Sequence, residues 1–278
     1  MKLTTVKTIA GYTLFALVVL GVFLYLRFPG TDMARIFSSS LSDLNPQANL
    51  LIGAVKPAFP PGLNLEKIVL RTGDRPAALF QADAMTVKPE YLSLLKGRKT
   101  LLVTAIGYGG TMKARLDSDR FLSLPEPVAA RMEFDGIDIE KNGYLKERLD
   151  RQVTGKLKGT LNFSGSMRDV RGGSGVMEFT LINGSYPLRE SLMGIDRLDF
   201  RRVDAQLNLK NGVLTVSRLK LAGDRISGSL SGDITLNRQD VKASPISLTG
   251  SFEMAGQGGQ KISLSLGGTI GNPVVKFM

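Results

Sequence analysis

The second half of the chain alternates between apolar and polar residues with a period of two. Lys156–Ser164 shows this alternation, as do the segments before and after Asn211-Gly212. Such a pattern is typical of β-strands that bury one face and expose the other. An Asn-Gly pair between two alternating segments indicates a type I′ hairpin, because both residues readily adopt a positive φ. Asn183-Gly184 is predicted to turn the chain in the same way, so the sequence indicates a β meander.

Leucine, isoleucine and valine occupy one side of each predicted strand, whereas serine, threonine, asparagine and lysine occupy the other. The chain offers almost no long amphipathic helix that could cover such an apolar face. The face must therefore curl onto itself, pack against a second sheet as a closed core, or be covered by something other than this chain. Frequent glycines in the strands favour strong curvature. The residues predicted to form an apolar groove on this face are Leu207, Leu209, Leu214, Val216, Ile226, Leu230, Ile234, Leu236, Ile262, Leu264 and Leu266.

Shorter sequence patterns predict further strands and a helix on the N-terminal side of this region. The sequence predicts strands at residues 77–88 and at Leu101–Ile106, and Gly109-Gly110 is predicted to turn the second of these into another strand. Between the two strands, Pro89–Gly97 is predicted as a short helix, because proline favours the first turn of a helix and glycine its end.

Near the N-terminus, Thr8–Leu26 is a run of 19 residues without charge. As a helix it spans about 28 Å, close to the hydrocarbon thickness of a bilayer. Lys2 and Lys7 precede the run without an acid, so the positive-inside rule places the N-terminus in the cytoplasm and the rest of the chain outside it. A cleaved signal peptide is the alternative, but the run is longer than usual and no small-residue cleavage site follows. The strongly apolar residues of this predicted anchor are Ile9, Leu14, Phe15, Leu17, Val18, Val19, Leu20, Val22, Phe23 and Leu24.

These features divide the chain into three predicted parts. Residues 1–29 form the anchor, 30–62 a short helical or irregular neck, and 63–278 a β-rich domain with a further boundary near 120–153. The predicted fold class is mainly β, with a single N-terminal transmembrane helix followed by a curved, largely antiparallel sheet. The sheet is expected as a groove, an open barrel or a sandwich, with one or two short helices.

The composition excludes several kinds of active site. The chain contains no Cys and no His, which rules out disulfides, zinc sites built from those residues and His-dependent nucleophiles. Asp135, Asp138 and Glu140 make at most a weak cation site and are better explained as solvated loop. The glycine-rich segments Gly107–Thr111 and Gly172–Gly175 open no helix and lack the Gly-Lys-Ser/Thr of a phosphate-binding loop. We therefore predict no enzymatic activity, no catalytic residue, no cofactor and no metal.

The formal net charge of the chain is +11. A nucleic-acid surface requires clustered Lys and Arg with aromatic residues that stack on bases. Here the basic residues are scattered, rarely more than two together, and aromatic residues are few. The charge is therefore interpreted as solubility and proximity to a membrane surface, and nucleic acid is not an expected partner.

Several segments resemble known bacterial envelope proteins. The order of an N-terminal anchor, the stretch Pro61–Leu70 and the segment Tyr91–Gly97 resembles the general secretion pathway protein N family, an accessory component of the type II secretion system. The C-terminal half is similar to AsmA-like proteins of the envelope, in Leu157–Gly165, Gly175–Gly184 and the ending Leu266–Phe277. Typical AsmA-like proteins are considerably longer, which favours the secretion-protein family.

The resemblance implies a non-enzymatic protein of the inner membrane, single-pass, with most of the chain in the periplasm. It would act through contacts with other secretion-system envelope proteins. The alternative implied by the AsmA-like likeness is a lipid-binding or lipid-transfer protein that holds phospholipid in an apolar β groove. No catalytic residues are known for these families, so none is transferred to this chain.

Overall fold

The structure is a computed structural model that describes residues 2–44, 46–73, 77–118, 128–166, 169–192, 195–237, 240–255 and 261–277. Its helices in that part of the chain are α1 (Lys2–Leu26), α2 (Gly30–Leu44), α3 (Tyr91–Leu95) and α4 (Gly143–Leu149). The strands of the first half are β1 (Ala48–Ala58), β2 (Gly62–Thr72), β3 (Phe80–Pro89), β4 (Lys99–Gly107), β5 (Gly110–Ser118) and β6 (Val128–Asp138). Those of the second half are β7 (Lys156–Gly165), β8 (Ser174–Leu192), β9 (Ile195–Lys210), β10 (Val213–Ala222), β11 (Ile226–Thr235), β12 (Ile246–Met254), β13 (Lys261–Gly268) and β14 (Pro273–Phe277).

Within the described residues, all fourteen strands belong to one antiparallel sheet. Their order in the sheet is their order in the chain, so every strand pairs only with its sequence neighbours. The first and last strands do not pair with each other, and the sheet is therefore not closed. The mainly β, antiparallel architecture predicted from the sequence is confirmed, and so is the small share of short helices.

The hairpin predicted at Asn211-Gly212 is confirmed. Both residues have a positive φ, 52° for Asn211 and 76° for Gly212, as a type I′ turn requires. Lys210 and Val213 pair directly on either side of the turn and start the ladder between β9 and β10. The positive φ of the two turn residues and the alternating pattern of the strands beside them both favour a hairpin at this position.

The turn predicted at Asn183-Gly184 is wrong. Strand β8 continues through both residues to Leu192, and its register with β9 is the same before and after Asn183, at Ile182–Arg202 and at Gly184–Phe200. Asn183 does adopt a positive φ of 51°, but Gly184 does not. One left-handed residue rotates a strand without reversing it, whereas a type I′ turn needs two in succession.

Two boundaries in the first half differ from prediction by one or two residues. The helix predicted from Pro89 is confined to α3, because Pro89 still belongs to β3 and pairs with Leu101. The turn expected at Gly109-Gly110 lies one residue earlier, at Tyr108-Gly109, with φ values of 53° and 74°. The sequence argument misses this turn because a tyrosine rarely adopts a positive φ.

The segment predicted as a short helical or irregular neck begins with a helix, the first of these two alternatives, and continues as a strand. Residues 30–44 form α2, and residues 48–58 form β1, which pairs along its length with β2. The proline at position 57 obscures this strand in the sequence, but Pro57 lies at an outer strand of the sheet, where a missing N–H donor is tolerated. The predicted division of the chain at residue 62 and near 120–153 stays a prediction.

Candidate binding face

The strand registers bring the predicted groove residues together on one face of the sheet. Leu209 pairs with Leu214, and Leu214 with Ile234, while Leu207 pairs with Val216. Paired residues in a ladder point to the same side, so these side chains form continuous rows. The remaining members follow the same parity on β11 and β13 and just after β11: Ile226, Leu230, Leu236, Ile262, Leu264 and Leu266.

The apolar face extends well beyond the residues predicted from the sequence. One row runs from Met132 through Leu161, Met177 and Leu207 to Val216, across five neighbouring strands. Sequence reasoning missed Met132 and Met177 because the face of a side chain follows from register, and register is fixed by partners distant in the chain. The rows continue through β5, β4, β3 and β2 to β1. Hereafter this surface is called the apolar face.

Helix α2 covers the apolar face at its β1 end. Phe28, Met33 and Phe37 pack against a buried cluster formed by β1 to β4. The hydroxyl of Ser38 donates a 2.7 Å hydrogen bond to the Leu50 carbonyl oxygen and fixes the helix along the first strand. The fully buried members of the cluster are Val55, Leu65, Ile68, Ala82 and Ala105.

A second cover lies towards the other end of the sheet. Strands β8 and β9 extend beyond their neighbours as a hairpin arm, residues 184–192 and 195–199. Leu188 and Leu198 of this arm pack against the buried cluster of Ile226, Phe252 and Met254 on β11 and β12. The arm departs at the left-handed Asn183, where a strand without that residue would continue straight.

Between the two covers, the apolar face is only half-buried. Leu161, Phe163, Met177 and Leu207 all retain partial exposure, whereas residues of a closed sandwich core would be fully buried. These four central side chains are therefore partly accessible to solvent, whereas their neighbours Ala205 and Val216 on the same face are buried.

The opposite face of the sheet is polar and is held by side-chain networks. Arg115 binds Glu90 through two hydrogen bonds of 2.6 and 2.7 Å, and Thr100 donates a 2.6 Å bond to Asp117. A shallow cavity of about 710 Å³ lies over β5 to β9. Its lining includes Arg115, Asp117, Arg131, Asn162, Asn208 and Lys210, and Arg131 itself donates a 2.9 Å bond to Asn162.

Among the described residues, three titratable groups of the sheet have shifted pKa values: Tyr108, Asp204 and Arg202, the last raised by its hydrogen bond to Asp204. The hydrogen bond from Arg202, aided by one from Thr180, lowers the pKa of the Asp204 carboxyl group. Burial raises the pKa of the Tyr108 hydroxyl, which accepts a 2.8 Å hydrogen bond from the Gln81 amide.

The acidic residues considered as a cation site have partners of other kinds. Asp135 forms an ion pair with Lys158 at 3.6 Å, and Asp138 accepts a hydrogen bond from the Glu140 amide at the start of a 3₁₀ turn. Asp138 also lies 3.8 Å from Lys141. Within the described residues, no three His, Cys, Asp or Glu side chains are placed to hold a metal ion.

The predicted anchor residues lie in α1, a helix of 25 residues. Leu14, Phe15, Val18, Val19, Leu20, Val22 and Phe23 are exposed, and the side chains of Ile9, Leu17 and Leu24 lie outside the described part of the chain. A search limited to the described residues finds no helix with the length and hydropathy needed to cross a membrane.

No known protein family matches the chain, and neither a curated protein nor a solved structure shows significant similarity to it. The resemblance to secretion and AsmA-like proteins therefore stays a prediction drawn from the sequence. The apolar face is the feature on which the proposed function rests.

Proposed function

We propose that this chain is a membrane-anchored protein of the bacterial envelope that holds lipid acyl chains on its apolar face. The observation that supports the proposal is the partial exposure of Leu161, Phe163, Met177 and Leu207 in the centre of that face. An exposed apolar surface of this extent marks a binding site for an apolar ligand or partner. A lipid is the occupant that fits a long face without matching polar groups along it.

Glycines on the face support a curved, groove-like sheet. A Cβ atom added at Gly232 would lie 2.2 Å from the Ser247 carbonyl oxygen, and one at Gly250 would lie 1.9 Å from that of Ser229. Both glycines belong to apolar-face rows, since Gly232 pairs with Val216 and with Leu248 on its two sides. Glycine inside a strand often marks a tight bend or a site where another backbone approaches closely, which favours a curved sheet.

The dimensions of the face suit acyl chains. Fourteen strands about 4.8 Å apart extend for about 60 Å. The part between the two covers, β5 to β10, extends for about 24 Å, and an acyl chain occupies about 15 Å, half of the hydrocarbon thickness of a bilayer, so one chain fits there. Each methylene removed from water contributes about 0.8 kcal/mol, and eight of them contribute about 6 kcal/mol. Contact along one side of a chain is therefore sufficient for binding.

The anchor is part of the proposal. Thr8–Leu26 would hold the chain in the inner membrane with the sheet in the periplasm, as the charge asymmetry of its flanks favours. Helix α2 follows directly and packs on the β1 end of the apolar face. The β1 end of the sheet would then stand nearest to the membrane, which is the source of the lipid.

The test is the lipid content of the purified full chain. Native mass spectrometry of the protein, released gently from detergent, is expected to show bound phospholipid. A photo-crosslinking residue at Leu207 should capture an acyl chain, whereas the same residue at Asn208, on the polar face of the same strand, should not. A lipid-free preparation, or equal capture at both positions, contradicts the proposal.

A second proposal is the accessory role in type II secretion that the sequence resemblance implies. It is supported by strand β14, whose five residues are all exposed and which pairs, within the described residues, only with β13. An open edge of this kind can accept a strand from another protein. Deleting the chain would then impair export of folded proteins, and normal export in its absence would contradict this role.

A further inference from the structure

A small group of apolar side chains projects into solvent away from the apolar face. Phe59, in the turn between β1 and β2, is 97% exposed, and Leu92 and Leu95 of α3 are 73% and 84% exposed. Tyr91 of the same helix is also exposed. We call these four residues the apolar tip. Side chains of this size are not expected in water at neighbouring sites unless a partner covers them.

The apolar tip is held rigidly. The hydroxyl of Tyr91 donates a hydrogen bond to the Pro61 carbonyl oxygen and joins α3 to the β1–β2 turn. Glu90, just before the helix, is bound by both terminal nitrogens of Arg115 on β5. The exposed leucines therefore sit on an element fixed to the sheet at two points.

The charge around the apolar tip is basic. Lys96 and Arg98 follow α3 directly and are exposed, as is Lys99 at the start of β4. The acid next to the tip, Glu90, is neutralised by Arg115. Exposed apolar residues bordered by basic ones are typical of surfaces that insert into the headgroup region of a bilayer, where basic residues contact anionic lipid.

The apolar tip lies near the point where the predicted anchor meets the sheet. A Cβ atom added to Gly30, the first residue of α2, would lie 2.3 Å from the Val55 carbonyl oxygen. From Val55, strand β1 needs about 13 Å to reach Phe59 at its turn. Helix α1 ends at Leu26, so its end, the start of α2 and the apolar tip are close together on one side of the sheet.

We propose that the apolar tip inserts into the headgroup region of a bilayer that contains anionic lipid, and so sets the β1 end of the apolar face against the membrane. The inference rests on the proposed membrane attachment. The occupant is a lipid surface because the end of the anchor brings that surface to the tip, and because the basic residues complement it.

The test uses tryptophan fluorescence, since the chain contains no Trp of its own. Phe59→Trp and Leu92→Trp are made separately in the full chain and reconstituted into vesicles of phosphatidylethanolamine and phosphatidylglycerol with lipids brominated near the headgroup. Emission of both variants is expected to fall about twofold, as for residues buried in the interface. Leu79→Trp is the matched control, because Leu79 lies at the opposite end of the strands, and its emission should stay unchanged.

The outcomes separate this inference from the proposed lipid binding. A chain that floats with the vesicles but shows no quenching at positions 59 and 92 contradicts insertion of the tip, whatever lipid it carries. Quenching at both positions in a chain with no lipid crosslinked at Leu207 supports the tip and contradicts the lipid groove. A chain that does not float with vesicles contradicts both the anchor and the tip. Quenching of equal strength in the control contradicts the tip alone.

Discussion

Replacing Leu207 by aspartate separates an open lipid-binding face from a closed core. Leu207 lies in the middle of the apolar face, between Met177 on β8 and Val216 on β10, and is half-buried. In the lipid-free chain, a carboxylate at this position still reaches water. With an acyl chain in place, the same carboxylate is pressed against methylene groups.

Leu207→Asp is expected to change the free energy of lipid binding more than the free energy of unfolding. Loss of about 40 Å² of apolar contact costs about 1 kcal/mol, and desolvating the carboxylate adds about 2 kcal/mol or more. Leu207→Asp should therefore weaken lipid binding by about 3 kcal/mol, which is about a hundredfold in Kd. The free energy of unfolding should fall by only about 1 kcal/mol, as for a substitution on a partly exposed sheet face.

The assay pairs lipid occupancy, measured by native mass spectrometry, with urea unfolding of the same sample. Asn208→Asp is the matched control, because it introduces the same charge one residue away on the polar face, where Asn208 bonds to Ser217. The control should leave occupancy and stability unchanged. A fall of 4 kcal/mol or more in the unfolding free energy of Leu207→Asp, as for a charge placed in a closed core, would refute the reasoning.

Three further predictions concern the fold and the second proposed role. Gly212→Ala should lower the unfolding free energy by about 1 kcal/mol, because φ at this position is positive but no atom lies near the new Cβ. Gly250→Ala should lower it by more, about 2–3 kcal/mol, because the new Cβ would collide with a carbonyl oxygen. Equal urea midpoints for the two variants would contradict this difference. Asp204→Asn should lower stability at pH 7, and this loss should shrink as pH falls below the unfolded pKa and through the lowered folded pKa, because the lowered pKa stabilises the fold only while the carboxylate is ionised. A loss that does not shrink with pH would assign the effect to the hydrogen bond from Thr180 instead. Deletion of the chain should reduce export of folded proteins, measured in the culture medium, and restoration by the full chain is the control.

The parts of the fold that depend on local chemistry could be predicted from the sequence. The Asn211-Gly212 hairpin follows from two residues that tolerate a positive φ and from the alternation beside them. The same pair at Asn183-Gly184 shows the limit of that argument. There the ladder with β9 stabilises continued pairing through Phe200, and no local pattern reports a partner strand that lies further along the chain.

The sequence predicts that one face of the sheet is apolar, but not how many strands that face covers. Alternation alone identified Leu207, Leu214 and Leu230, because apolar and polar residues are cleanly separated in those strands. Its continuation through Met132 and Met177 depends on register. The covers at the two ends, α2 and the hairpin arm, depend on tertiary packing, which the pattern of single segments does not contain.

The strictly sequential order of the strands has a consequence for how such a chain is made. Each strand pairs with the strand that precedes it, so the loops that must close are short. The pairing of an early strand does not depend on a strand much later in the chain. A chain of this kind can acquire structure progressively as it is synthesised, starting at β1. One more hairpin would lengthen the sheet by about 10 Å without changing the existing registers. Length is thus a property that evolution can adjust here in units of two strands.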